Sequence, residues 1–124
     1  MKNALLRFLI YTVNHPDNSE SDLNYEITLN VGGQIISGTI IPRKEFYEAE
    51  HNAQLNYYIK EIEKVQLEEN GEIQDTPPED LNIFHLKNAA YWFNNSKIPG
   101  GDGTYMIVNI DSVNAYNMGA LSIG

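Results

Sequence analysis

Hydrophobic and polar positions along the chain change period several times, and each change predicts an element. Leu5, Leu6, Leu9, Ile10 and Val13 fall on one stripe at helical spacing, which predicts an amphipathic helix over residues 3–14. Pro16 stops it, because the residue before a proline is pushed out of the helical region. A polar loop follows over 17–23. Tyr25, Ile27, Leu29 and Val31 then alternate with Asn24, Glu26, Thr28 and Asn30, the period of a half-buried strand. Gly32-Gly33 supplies the positive φ of a tight hairpin. The return strand, 35–41, is apolar on both faces, with Ile36 and Ile40 on one and Ile35 and Ile41 on the other. One of those faces must meet a helix or another subunit. Gly38 at its centre predicts a bend or a close backbone approach.

Pro42 opens a helix read over 43–65, with Phe46, Ala49, Ala53 and Tyr57 on one side. Residues 58–67 fit neither period cleanly and are left as helix or strand. Residues 68–80 hold six acidic side chains, a glycine and Pro77-Pro78, the composition of a solvated loop. Strands are predicted over 82–93, 105–110 and 115–123, with a turn at 94–103 and a helical turn at 111–113 capped by Asp111. The order is helix, hairpin, helix, three strands. It predicts an α+β domain over 1–124, built on a small, strongly bent antiparallel sheet or an SH3- or Sm-like barrel.

Charge narrows the function. Eight Lys and Arg stand against 17 Asp and Glu, a net −9 at pH 7. Nucleic-acid binding depends on cations that displace phosphate counterions, and acidic membrane surfaces repel the same charge. Protein partners fit, and nucleic acid and membrane do not. The apolar run Ala4–Val13 is shorter than the ~20 residues that span a bilayer and is followed by no small-residue cleavage site, so it reads as an ordinary amphipathic helix. The chain has no cysteine, which removes disulfides and thiolate metal sites.

Little in the sequence points to catalysis. The three histidines, His15, His51 and His85, stand in no recurring metal-ligand spacing. Ser37 is not in a nucleophile elbow, and Gly100-Gly101-Asp102-Gly103 lacks the Lys-Ser/Thr of a phosphate loop. We expect no catalytic residue, metal or cofactor. His85, Lys87 and Asp111 are the weak alternative for a small ligand. Tyr91, Trp92 and Phe93 are consecutive on a strand and must face alternate sides, so at least one is exposed or in an interface. With Ile35, Ile41 and Tyr116 they form the candidate protein-binding set, since aromatic residues are enriched at interface hot spots. The set also suggests a homo-oligomer.

Three segments, in order, resemble the gas vesicle accessory protein GvpU family. The first runs from Ile27-Thr28-Leu29 through the glycine turn to Ile36-Ser37-Gly38. The second is Phe84-His85-Leu86-Lys87-Asn88-Ala89, the most specific of the three. The third is Ile110 to Gly119. The chain departs from the family pattern at Asn114-Ala115, where Asp-Gly is usual, and at Val108-Asn109, where Arg-Gly is expected. The resemblance implies a non-enzymatic cytoplasmic accessory role in assembly or clustering of gas vesicles, with vesicle shell or accessory proteins as partners. It brings no catalytic residues. An Sm-like RNA-binding ring and a small-molecule-binding domain are the rival readings.

Overall fold

Hydrogen-bonded pairing decides the architecture. In a computed structural model, described for residues 3–15, 25–71, 82–119 and 121, six strands form one antiparallel sheet. The elements are α1 (Ala4–Asn14), β1 (Glu26–Val31), β2 (Gln34–Ile40), α2 (Arg43–Glu48), α3 (Ala53–Asn70), β3 (Ile83–Phe93), β4 (Ser96–Ile98), β5 (Thr104–Asn109) and β6 (Val113–Met118). The order across the sheet is β4-β3-β2-β1-β6, with β5 also on β3. β5 takes the first part of β3's outer edge, and β4 takes the last three residues. β6 pairs with β1 and not with β4 or β5, so the sheet is open and the barrel alternative is not needed.

The bend sits in β3. Asn88 has φ 53, and the register shifts there against both neighbours, β2 and β5. A bulge adds twist and bends its strand. Gly38 lies opposite: a Cβ at that position would stand 3.1 Å from the Ala89 Cβ and 3.2 Å from its Cα. The close approach expected at this glycine is therefore real. Gly32 and Gly33, at φ 60 and 90, make the β1–β2 turn.

α1 covers one face. Leu6, Ile10 and Val13 are buried against Ile27, Leu29, Ile36, Ile40, Phe84, Leu86, Val108 and Ile110. Sinking three such side chains contributes on the order of 5–9 kcal/mol. The opposite face carries α2, whose Phe46 is buried.

Several expectations are corrected. The 43–65 helix is broken, because Ala49 is extended (ψ 136) and a 3-10 turn, Glu50–Asn52, separates α2 from α3. The buried Asn52 side chain donates to the Phe46 carbonyl at 2.8 Å, fixing the break. Residues 58–67 are helix, and α3 runs on to a Gly71 cap at φ 76, so Glu68 and Glu69 are helical and not loop. Most of the 68–80 segment and of the 17–23 loop lies outside the described residues. The described residues form six strands, not five: β4 arises within the stretch read as a turn, where Asn94 and Asn95, both at positive φ, close a hairpin. Three residues are too few to show a period. The last strand is 113–118, and the turn before it is capped by Asn109, whose side chain accepts from the Asp111 N–H at 2.9 Å.

Gly38→Val is expected to destabilise the fold by about 1–3 kcal/mol, since the added methyls meet the backbone of a fully buried residue. A urea midpoint equal to wild type would contradict this.

Candidate functional site

His85 is the titratable group with the most altered surroundings. It lies on β3 on the face covered by α2, and only 3% of it is exposed. Its ring stands 5.1 Å from Phe46 and 5.6 Å from Tyr47, and Phe46 also meets Tyr105 at 5.8 Å. The Arg43 guanidinium lies 5.2 Å over the Tyr47 ring. Burial, and then the positive charge of Arg43, lower the His85 pKa to about 4. The imidazole is neutral at pH 7 and works as a packed ring beneath α2.

The ligand trio does not assemble. His85 and Lys87 share a strand face, as their spacing predicts, but Lys87 is held by Glu45 at 3.3 Å. Asp111 is exposed in the turn between β5 and β6, where it accepts from Asn3 at 3.4 Å. The open groove beside α2, about 560 Å³, is lined by Pro42, Lys44, Glu45, Glu48, Ala49 and Tyr105 and includes none of the three. Among the described residues no group of three His, Asp or Glu could hold a metal ion.

The aromatic set divides between faces. Register places Ile98, Tyr91, Ile36, Leu29 and Tyr116 in one row across five strands. Ile36 and Leu29, in the middle, are buried against the α1 side chains, while Ile98, Tyr91 and Tyr116 at the ends are exposed. Phe93 shares the face of Tyr91 and is also exposed. Trp92 points to the other face, half-buried beside its cross-strand partner Ile35, and donates its indole N–H to the Ser37 hydroxyl at 2.7 Å. Ile41 is buried, and its N–H donates to the His85 carbonyl.

Sequence reasoning missed an exposed apolar stripe on α3. None of the described side chains of α3 is buried, and Leu55, Tyr58, Ile62 and Val65 are exposed along it. A shallow groove of about 380 Å³ is lined by Tyr58, Glu61, Ile62, Val65 and Gln66. The 3-4-3 spacing of these four residues was available. It was obscured by phasing one helix from Phe46 through a segment that breaks at Ala49. Leu5, Phe8 and Tyr11 on the outer side of α1 are exposed as well.

The buried histidine sets a pH dependence. The unfolded chain takes a proton on this residue near pH 6.5, while the folded chain does not until about pH 4. Stability is therefore full above 6.5 and falls as pH drops toward 4, by up to roughly 3 kcal/mol. Urea midpoints between pH 7 and 5 should fall in the wild type and lose most of that slope in His85→Phe. Parallel slopes would show that His85 does not carry the effect.

The architecture can be set beside known proteins. Among the described residues no helix is long and apolar enough to cross a membrane. No curated protein and no solved structure matches the chain. One family model, described as gas vesicle protein GvpU-like, matches residues 3–121, nearly the whole length, and takes in all three segments that carry the resemblance. The chain is thus a member of the GvpU-like family of gas vesicle proteins.

Proposed function

We propose that this protein is a non-enzymatic cytoplasmic accessory factor that acts by binding other proteins during assembly or clustering of gas vesicles. The observation that carries the reading is the family match over 3–121. The surface supports it: Tyr91, Phe93, Ile98 and Tyr116 leave large apolar area open on a face that α1 covers only at its centre. Exposed apolar patches of this kind mark protein contact sites. Vesicle shell or accessory proteins are the partners, and self-association through the same face gives a homo-oligomer. The −9 charge argues against the Sm-like RNA reading. The separation of Asp111 from His85 and Lys87 argues against a ligand site built from those three.

Flotation with purified gas vesicles tests the reading, because bound protein rises with the buoyant organelle. Wild type is expected in the floating layer. Tyr91→Ser/Phe93→Ser should bind about tenfold more weakly, with its urea midpoint nearly unchanged, since both positions are exposed. Wild type left wholly in the clear phase would count against the reading, as would binding of an RNA library at physiological salt.

A further inference from the structure

Charge is sorted around α3. At about 100° per residue, Leu55, Tyr58, Ile62 and Val65 occupy an arc of about 80°. Glu61 and Glu68 border this stripe on one side, and Glu69 continues it past Val65. Gln66 and Ile59 border the other side, while Lys60 and Lys64 lie on the back of the helix. An exposed, weak pair at 4.0 Å joins Lys64 to Glu61 and leaves Glu68 and Glu69 aside. All four positions of the stripe are exposed, while Ile59 is half-buried, and the main neighbours of α3 are α2 and the 3-10 turn, not the sheet. The apolar spacing therefore has no use in this fold's core.

We infer that α3 is a docking helix for a second protein whose own apolar seam is rimmed by Lys or Arg, such as a basic amphipathic helix. This deepens the accessory reading and rests on it. Helix-to-helix docking uses anchors spaced at i, i+3, i+7 and i+10, the spacing of Leu55, Tyr58, Ile62 and Val65. Flanking charges select the partner. A second copy of this chain would bring Glu-bordered stripes together on two bodies of charge −9. A membrane surface selects helices with cationic rims. An acidic flank, with Glu69 at the end of the seam, fits a cationic protein surface.

The test uses the full chain and two synthetic helical peptides of about three heptads. They share one leucine seam and carry Lys on both flanks in one peptide and Glu in the other. Fluorescence anisotropy should show the Lys peptide binding at least about tenfold more tightly, a preference that shrinks between ~50 and ~500 mM salt. Ile62→Glu/Val65→Glu should remove binding without moving the urea midpoint. Reversing the flank with Glu61→Lys, Glu68→Lys and Glu69→Lys should invert the preference. Equal binding of both peptides, binding of neither, or an unchanged preference after reversal would overturn the inference. So would efficient disulfide dimerisation of Ile62→Cys, the sole thiol in that variant, because it would make a second copy the occupant. Vesicle flotation of the wild type stands apart from these readouts: its failure sinks the accessory reading, and failure of the peptides sinks only the role of α3.

Discussion

Contact between α1 and the middle of the sheet is the interaction on which the rest depends. An open antiparallel sheet of this size has two faces and buries neither unaided. Leu6, Ile10 and Val13 close one of them over Leu29 and Ile36. Because α1 covers only the centre, the same row of residues is core in the middle and exposed at its ends. Exposed apolar area and hydrophobic core are thus continuous. Arg7 adds a hydrogen bond to Asn82, just before β3, so the covering helix is tied to the strand that carries the bend.

The other face is closed differently. α2 is only one and a half turns long, too short to be stable alone, and it is held by Phe46 among the rings of Tyr47, His85 and Tyr105. A leucine in place of His85 would fill similar space, but only an imidazole ties the packing of α2 to acidity. Asn52 bonds to the Phe46 carbonyl at the end of α2 and stands immediately before α3. One buried amide thus separates the helix that belongs to the body from the helix that does not.

Legibility in the sequence followed the length of each periodic run. α1 and β1 could be read because six or more residues obeyed one period, and β2 and Gly38 because the run was rich in β-branched residues after the Gly32-Gly33 turn. β3 was legible as a strand, but its bend was not: Asn88 at positive φ has no signature beyond being asparagine. β4 was hidden by its length. The 43–65 segment failed because phase was carried across Ala49, where the backbone is extended; starting afresh at Ala53 brings out the seam of α3. The site was harder still. Alternation divides Tyr91 from Trp92 with certainty, yet which face a helix covers is a tertiary fact. The interior position of Ile41 and the distance from Asp111 to the α2 face belong to the same category.

The absence of buried side chains among those described along α3 has a consequence for how this protein can change over time. A core residue is constrained by the stability threshold: most replacements cost more than a marginally stable domain can absorb. Positions 55, 58, 62 and 65 escape that filter, so new side chains there leave the body intact. Drift on this helix is therefore free to follow whatever surface it meets, while the sheet and α1 stay fixed as a carrier.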